Sequence, residues 1–307
     1  MTVQGSSTNS VVLVTGGTGA VGRYIASVLL DAGYHARVFS RYAHRNALAG
    51  AESVAGDIQD AAAVARAAVG VDAVVHVVGI LRERPGQSFE GVHVQGARNV
   101  MAAAQENGVQ RVIYIGGTGA DPDSQDPLSA SKGRAEEQVR AGSFDYVILR
   151  SSLLFGIDGG VLRRIGWTLH ATGSLVLLPC SGRGLFQPLW VGDLAQCILR
   201  FLGDGSGRGG SYDLGGPDSF TYRDLAQLLA QHEELHRIFV PVPAPLLQVL
   251  GAAPRLIGRE PFVTGTELWQ LCRDNRVSPA MLLDVFGVAP MHLEAWLAAS
   301  SGGQQKS

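Results

Sequence analysis

The chain has 307 residues, of which 46% are hydrophobic and 17% are charged, a balance that favours a sizeable folded core and argues against disorder. Its formal net charge of −2 gives no electrostatic basis for binding nucleic acid. No apolar run reaches the roughly 18 residues of a membrane-spanning helix, and the N-terminus lacks the basic start and apolar core of a signal peptide.

Short apolar segments alternate with helical patterns in the first half of the chain. The apolar segments predict strands at residues 11–15, 36–40, 52–55, 73–78, 111–116 and 146–150. The patterns between them predict helices at residues 21–30, 60–69, 91–107 and 129–140. Because the strands are apolar on both faces, they fit a buried parallel sheet. We predict an α/β fold, a doubly wound parallel sheet of Rossmann type, over residues 1–150.

The pattern changes after Arg150, where loops interrupt shorter elements. Helices are predicted at 191–202 and 221–231, short strands at 212–214 and 237–241, and further helices up to Ala298. For residues 165–180, a packed helix followed by a strand is favoured over an amphipathic surface helix. We predict a smaller C-terminal α+β lobe over residues 151–299 that covers the cofactor cleft, and a flexible tail over 300–307.

The strongest motif joins the first strand to the first helix. The strand runs into Gly16-Gly17-Thr18-Gly19-Ala20-Val21-Gly22. Gly16 suits a tight turn, Gly19 lets a pyrophosphate approach the backbone, and Gly22 lets the helix pack closely on the strand. The helix N-terminus offers free N–H groups to an anion. We therefore predict that Gly16, Thr18, Gly19, Ala20, Val21 and Gly22 bind a dinucleotide; the alternative is a glycine turn that binds nothing.

The residues after the second strand indicate which dinucleotide is preferred. An acidic residue at this place would bind the ribose 2′-hydroxyl of NAD. The sequence instead has Ser40 and Arg41, with Arg45 nearby, and Asp31 comes too early. A guanidinium suits a 2′-phosphate, so we predict that NADP(H) is preferred over NAD(H). The alternative is that Arg41 is only a solvated loop residue.

Two further segments are predicted to line the cofactor. Asp57 and Ile58 follow the third strand, where a carboxylate can accept from the adenine amino group. The alternative is that Asp57 or Asp60 caps the next helix. Val78 and Gly79 end the fourth strand, where a small residue lets the dinucleotide cross the sheet edge; the alternative for Gly79 is an ordinary turn glycine.

These motifs, with several downstream, resemble the short-chain dehydrogenase/reductase superfamily in its atypical branch. Within it the chain is most similar to the NADPH-binding accessory subunits of respiratory complex I and their bacterial homologues. The resemblance covers about residues 10–240 and is weaker afterwards. It rests on residues 15–22, 56–58, 71–83, Asn99, 119–122, 131–133, 155–156, 186–188, 191–193 and 214–217.

The resemblance implies roles for further residues. Lys132 would hydrogen-bond the nicotinamide ribose, and Phe155 would belong to the cofactor site. Arg150-Ser151-Ser152 stands where such proteins have an Arg-Pro-Ser run beside the nicotinamide. Active members carry a tyrosine as proton donor four residues before the lysine, a position that holds Leu128 in this chain. Thr118 and the serines Ser129 and Ser131 are the hydroxyls left to replace it, and no catalytic residue is assigned.

Three functions follow as hypotheses. The first is a cofactor-binding protein with a structural or assembly role and little dehydrogenase chemistry. The second is an NADPH-dependent reductase of a quinone or other apolar carbonyl. The third, a nucleotide-sugar epimerase or dehydratase, needs the missing acid–base group. The first hypothesis predicts that the chain binds a protein partner in a respiratory or membrane-associated complex. It also predicts a location in the cytoplasm or at the periphery of the inner membrane.

Other signals are expected to be structural. His232-Glu233-Glu234-Leu235-His236 matches a zinc-binding HExxH pattern, but the helix is expected to end before His236, so no metal is predicted. His76 is expected to be a hydrogen-bonded core residue, and His93 to lie at a surface or interface. The three cysteines, Cys180, Cys197 and Cys272, lack CxxC spacing, so neither a disulfide nor a thiolate metal site is expected.

Overall fold

The fold is taken from a computed structural model of the chain, which describes residues 10–158, 160–171, 173–247 and 264–301. Contacts divide the chain into two compact units. The first comprises Met1–Ser151, Val191–Leu214 and Ala280–Ala289, and the second comprises Ser152–Trp190, Gly215–Pro279 and Pro290–Ser307. The division is less simple than the predicted boundary at residue 150, because the chain returns to the first unit twice.

The described strands are mostly short and are numbered here in chain order. They are β1 (Val11–Thr15), β2 (His35–Ser40), β3 (Glu52–Ala55), β4 (Ala73–His76), β5 (Arg111–Gly117), β6 (Asp145–Ser151), β7 (Leu154–Phe155), β8 (Leu175–Pro179), β9 (Leu185–Phe186), β10 (Leu189–Trp190), β11 (Ser211–Leu214), β12 (Phe220–Thr221) and β13 (Ile238–Val242).

The described α-helices are numbered in the same way. They are α1 (Ala20–Asp31), α2 (Ala61–Ala68), α3 (Gly96–Glu106), α4 (Pro127–Arg140), α5 (Gly160–Ala171), α6 (Val191–Asp204), α7 (Tyr222–His232), α8 (Gly265–Cys272), α9 (Ala280–Phe286) and α10 (Leu293–Ser301). A π-helical turn, Glu90–Gln95, leads directly into α3.

The first unit is built on a seven-stranded sheet in the order β11-β6-β5-β4-β1-β2-β3. Every neighbouring pair in it is parallel. The strand order reverses between β1 and β4, which pair from Val12 opposite Ala73 to Thr15 opposite His76. In open α/β sheets, ligands bind beyond the carboxyl ends of the strands at such a reversal. The predicted Rossmann-type fold is confirmed.

The core of this unit explains why the strands read as apolar throughout. Val12, Leu13 and Val14 of β1 are completely buried, because helices cover both faces of a doubly wound sheet. On one face Leu13, Val74 and Val112 pack in one cluster with α2 and α3.

The edge strand β11 belongs to this sheet rather than to the predicted C-terminal lobe. It pairs with β6 from Ser211 opposite Ile148 to Leu214 opposite Ser151. The local sequence predicts a strand at 212–214, but it cannot show which sheet the strand joins. The same holds for α6 and α9, which also belong to the first unit.

The second unit is an α+β assembly of small sheets and helices. Three two-stranded sheets occur among its described residues, with β8 parallel to β13, β7 parallel to β10, and β9 antiparallel to β12. Its core gathers Phe155, Ile165, Leu169, Leu178 and Leu225. The helix α5 followed by β8 confirms the prediction made for residues 165–180.

One expectation about the cysteines is wrong. Cys180 and Cys272 are joined by a disulfide within the second unit, although they are 92 residues apart and lie in no CxxC motif. The expectation failed because their proximity depends on α8 lying beside the turn after β8, which no local spacing records. Cys197 is a buried free thiol in α6.

The end of the described chain is helical. Helix α10 runs through Ser300 and Ser301, the first two residues of the predicted tail, and residues 302–307 lie outside the described part. A search of the described residues finds no helix both long and apolar enough to cross a membrane.

Candidate functional site

The turn between β1 and α1 has the geometry that its glycines predict. Gly16 has a φ of +73°, a left-handed conformation in which a side chain would be strained. Its N–H donates to the carbonyl of Phe39 at 2.8 Å, and its carbonyl accepts from the N–H of Gly19 at 2.9 Å. A Cβ on Gly22 would stand 2.4 Å from the Gly16 carbonyl oxygen, so this glycine permits the close packing of α1 on the turn.

An open cradle lies over the start of α1. Gly19 is exposed at the N-cap, and a Cβ there would meet one atom of the described chain, the Gly16 carbonyl oxygen at 3.3 Å. Within the described part of the chain no side chain caps the helix, and its first turn contains no acidic residue. Its N–H groups and positive dipole end are therefore available to an anion. This arrangement fits a pyrophosphate, with Thr18, Ala20 and Val21 partly exposed around it.

The end of β2 lies against this turn. Thr18 Oγ1 donates to Ser40 Oγ at 2.8 Å, and the N–H of Tyr42 donates to the same oxygen at 3.3 Å. Arg41, the next residue, is exposed, and its guanidinium carbon lies 5.6 Å from the centre of the Tyr42 ring. The structure thus brings Ser40 and Arg41 beside the phosphate turn.

The structure shows which carboxylate after β3 caps the next helix, whereas binding of adenine by Asp57 stays a prediction. Asp60 caps α2, because its Oδ1 accepts from the N–H groups of Ala62 and Ala63. Asp57 instead closes a turn by accepting from the N–H of Gln59 at 2.9 Å. Ile58 is 5% exposed and packs in the core, so what this segment offers a ligand is the carboxylate of Asp57.

The segment after β4 borders the turn on its other side. The strand ends at His76, two residues earlier than predicted, although the N–H of Val77 still donates to the Thr15 carbonyl of β1 at 3.2 Å. A Cβ on Gly16 would lie 3.1 Å from Val78 Cγ2, which shows how closely the two segments pack. Gly79 follows, with open space beyond the His93 ring that a Cβ would approach to 3.6 Å.

Lys132 extends from α4 over the end of β5. A Cβ on Gly117 would come within 2.6 Å of Lys132 Nζ, so that glycine makes room for the ammonium group. Burial lowers the pKa of Lys132, and the negative charges of Glu136 and Asp126 partly oppose this shift. Among the described residues the Lys132 ammonium group makes no hydrogen bond, so this partly exposed donor is available to a ligand such as a ribose hydroxyl.

The position of the expected proton donor is apolar and buried. Leu128 lies one turn before Lys132 on α4 and is 3% exposed. Ser129 Oγ donates to Asp126 Oδ2 at 2.9 Å, and Ser131 Oγ donates to the Leu128 carbonyl at 2.9 Å. Both serines are thus committed to the helix itself. Thr118, past the end of β5, is the one of the three hydroxyls that is partly exposed.

The expectation that His93 lies at a surface or interface is wrong. It is 2% exposed in the π-helical turn, where its Nε2 accepts from the N–H of Ile80 at 3.0 Å. Its Nδ1 therefore carries the proton and donates to Ser131 Oγ, 2.8 Å away. The ring links the segment after β4 to α4. Burial, followed by the charge of Lys132, lowers the pKa of His93 to about 3.

His76 lies in the core as expected, but only one of its two ring nitrogens has a hydrogen-bond partner among the described residues. Nδ1 lies 2.7 Å from Thr15 Oγ1, whereas Nε2 has no hydrogen-bond partner among the described residues. Burial lowers its pKa to about 4, so the ring is neutral at physiological pH. A neutral histidine without access to solvent is a structural group rather than an acid or base.

The sequence did not reveal a buried ionic network behind Lys132. Glu136 is fully buried, and Arg150 donates two hydrogen bonds to its carboxylate. Nε donates to Oε1 at 2.8 Å and Nη2 to Oε2 at 2.6 Å. Arg140 adds a third bond to Oε2 at 2.7 Å. Glu136 follows Lys132 by four residues and so shares its helix face, which was the available signal. Arg150 thus fixes α4 to β6.

Two other predicted features lie in the second unit. Phe155 is 2% exposed, and its ring packs edge-on against Trp296 at 5.5 Å; its part in cofactor binding stays a prediction. Helix α7 ends at His232, so His236 lies beyond the helix and off the face that a zinc-binding HExxH pattern needs. Glu233 instead pairs with His170 at 2.6 Å.

Comparison with known proteins agrees with this site. Residues 16–165 match the family model described as NAD(P)H-binding. Over 264 residues the chain is 28% identical to the Arabidopsis thaliana mitochondrial NADH dehydrogenase [ubiquinone] 1 alpha subcomplex subunit 9, covering 82% of this chain and 65% of that protein. It is 24% identical to the Neurospora crassa mitochondrial NADH-ubiquinone oxidoreductase 40 kDa subunit, covering 90% of this chain and 75% of that one.

A relative with a different name is also similar. The ceramide reductase of Caulobacter vibrioides is 30% identical over 194 residues, which are 62% of this chain and 60% of that protein.

Solved structures share the fold. The crystal structure of gox2253 superposes with a TM-score of 0.74 at 24% identity, covering 97% of this chain and 99% of that one. The Thermus thermophilus UDP-glucose 4-epimerase complex with NAD gives a TM-score of 0.64 at 23% identity, covering 85% and 97%. Residues 16–165 therefore form an NAD(P)H-binding domain, and the chain is homologous to the complex I subunits.

Proposed function

We propose that this chain binds NADP(H) as a structural component of a protein assembly and carries out little dehydrogenase chemistry. The observation that carries the proposal is the buried Leu128 beside an intact Lys132. The lysine can hold a ribose, but leucine cannot exchange a proton, and Ser129 and Ser131 donate to groups on their own helix. The site thus retains the features for binding and lacks the usual group for acid–base catalysis.

What the site lacks is the usual donor of the proton that carbonyl reduction needs. A bound nicotinamide supplies or accepts a hydride, whereas a carbonyl substrate also needs a proton at its oxygen. Of the three hydroxyls compared above, Thr118 is the one left to face a substrate, because Ser129 and Ser131 are buried, and an aliphatic hydroxyl is a poor acid near neutral pH. General acid catalysis commonly contributes about 10²–10⁴-fold to a rate.

The preference for NADP(H) over NAD(H) is part of this proposal. It is supported by Arg41 at the end of β2, where the chain has no acidic residue that could bind a ribose 2′-hydroxyl. We expect wild-type protein to bind NADPH more tightly than NADH, and Arg41→Asp to lose that preference. A lost contact to the phosphate is worth about 1.5–3 kcal/mol. Arg66→Asp, an exposed change on α2, serves as the control of equal charge, and equal wild-type affinity for both dinucleotides would refute the preference.

The structural role is supported by the names of the two complex I relatives. We propose a partner in a respiratory or membrane-associated complex and a location in the cytoplasm, peripheral to the inner membrane. A ligand that binds only the folded state stabilises it by about 2.7 kcal/mol at 100 times its Kd. NADPH should therefore raise the thermal unfolding midpoint of the wild type, and should raise that of Lys132→Ala much less. An unchanged midpoint in the wild type would contradict a structural cofactor.

A second candidate is an NADPH-dependent reductase of a quinone or other apolar carbonyl. The ceramide reductase among the relatives favours it, since its name indicates reduction of a lipid. Quinone reduction depends less on an acid from the protein, because water can supply the proton. Measurement of NADPH oxidation with such acceptors distinguishes the two candidates.

A further inference from the structure

A tight turn follows β4 and lies beside Arg41. Residues 83–87, here called the Gln87 turn, are closed by Arg84 and Gln87, whose backbones exchange two hydrogen bonds of 3.0 and 2.8 Å. Gln59 Nε2 donates to the Gly86 carbonyl at 3.0 Å, and the N–H of Phe89 donates to Glu83 Oε1 at 2.7 Å. The bond from Gln59 ties the turn to the segment after β3, and the other bonds close the turn itself, so none of these contacts involves Arg41.

The side chain of Gln87 meets the guanidinium of Arg41. In the amide orientation that a donor-only guanidinium requires, its oxygen accepts from Arg41 Nη2 at 2.7 Å and also from Nη1. On its other side Arg41 lies near the Tyr42 ring. Among the described residues, the groups that position this guanidinium are thus a neutral amide and an aromatic ring, and neither cancels its charge.

We propose that Gln87 is a second determinant of the 2′-phosphate site and selects for NADP(H) together with Arg41, an inference that rests on the proposed dinucleotide function. The amide oxygen orients the guanidinium without neutralising it, which leaves the full charge for a phosphate. The amide NH2 group can then donate to the same phosphate. A carboxylate at this place would pair with Arg41 and repel the phosphate. Residues from two segments therefore form the recognition site, Arg41 after β2 and Gln87 after β4.

The isosteric variant Gln87→Glu tests this directly. We would measure Kd by titration of the full chain with NADPH, NADH, adenosine 2′,5′-bisphosphate and AMP. We expect Gln87→Glu to raise the Kd of NADPH and of the bisphosphate about tenfold or more, as the loss of a hydrogen bond to a charged group predicts. The Kd values of NADH and AMP should stay unchanged. Gln105→Glu, the same change on an exposed position of α3, should leave all four values unchanged.

The outcomes separate the inference from the proposed function. The role of Gln87 is refuted if the wild type prefers NADPH and Gln87→Glu keeps that preference. It is also refuted if Gln87→Glu weakens the binding of NADPH and NADH equally. In both cases the cofactor proposal stands. If the wild type binds NADH as tightly as NADPH, the preference fails and this inference fails with it. If Gln87→Glu does not fold, Gln87→Ala provides the test. This variant removes the amide donor without adding a charge, so it must still weaken the binding of NADPH more than the binding of NADH.

Discussion

Gly19 is the residue at which nucleotide binding can be disturbed without disturbing the fold. A Cβ there would meet one atom of the described chain, the Gly16 carbonyl oxygen at 3.3 Å, and would stand where a pyrophosphate approaches the N-terminus of α1. We expect Gly19→Val to abolish binding of NADPH and to leave the unfolding transition cooperative. Isothermal titration and circular dichroism measure the two properties.

The control for Gly19→Val is another glycine with free space around it. Gly203, on α6 of the same unit, has no atom within 4 Å of an added Cβ. Gly203→Val should therefore bind NADPH like the wild type. Unchanged NADPH affinity in Gly19→Val would mean that the turn is not the phosphate site.

The buried histidines make stability depend on pH. Burial lowers the pKa of His76 to about 4 and that of His93 to about 3, against about 6.5 in an unfolded chain. As pH falls below about 6.5 the unfolded chain binds protons that the folded chain does not, so stability is lost between about pH 6.5 and 4. Each unit of depression corresponds to about 1.4 kcal/mol.

Urea unfolding at pH 7.5 and pH 5 measures this loss. His76→Asn should show a smaller difference in unfolding free energy between the two pH values than the wild type, because it removes one of the groups responsible. His44→Asn, an exposed change after β2, should not alter the difference. An identical pH dependence in wild type and His76→Asn would show that His76 is not a source of it.

Helix α4 is the element that ties the site to the sheet. It carries Leu128, Lys132 and Glu136 on successive turns, and the ion pair of Glu136 with Arg150 holds it to β6. Breaking a buried ion pair by removing one charge typically costs about 3–5 kcal/mol, whereas an exposed pair contributes about 0–1 kcal/mol. We expect Glu136→Gln to lower the free energy of unfolding by an amount in the first range.

A more exposed ion pair, between α4 and the π-helical turn, provides the comparison. Arg134 pairs with Glu90 at 2.9 Å, with side chains 40% and 63% exposed. Glu90→Gln should change the free energy of unfolding by less than about 1 kcal/mol. Chemical denaturation of the two variants settles the order, and an equal effect would show that burial of Glu136 contributes no more than a surface contact.

The elements differ in how well the sequence predicts them. β1 and the phosphate turn are marked by an apolar run and by glycines, whose conformational reasons are local. The end of β4 was predicted two residues late, because Val77 and Val78 are as apolar as strand residues but lie beyond His76, the last residue in the pairing with β1. The contact of Gln87 with Arg41 and that of His93 with Ser131 join segments 46 and 38 residues apart, and no local pattern records such contacts.

At the scale of the whole molecule, the first unit contains nearly all the residues predicted to bind the dinucleotide. Phe155 is the exception, since it lies in the core of the second unit. The chain spans 65% of the length of the Arabidopsis relative and 75% of the Neurospora one, so their assembly partners bear on this chain as proposals. The composition and net charge indicate a globular protein but not which partner or substrate it has.

The central claim is that binding persists where catalysis does not, and one measurement tests it most directly. On a single preparation with a measured NADPH Kd, steady-state oxidation of NADPH would be followed with alcohols and carbonyls, nucleotide sugars and quinones. The account predicts tight binding with turnover well below about 1 s⁻¹, the lower end of ordinary enzyme rates, for each class. Turnover above that rate with any acceptor, abolished in Lys132→Ala, would contradict the structural role and establish a reductase.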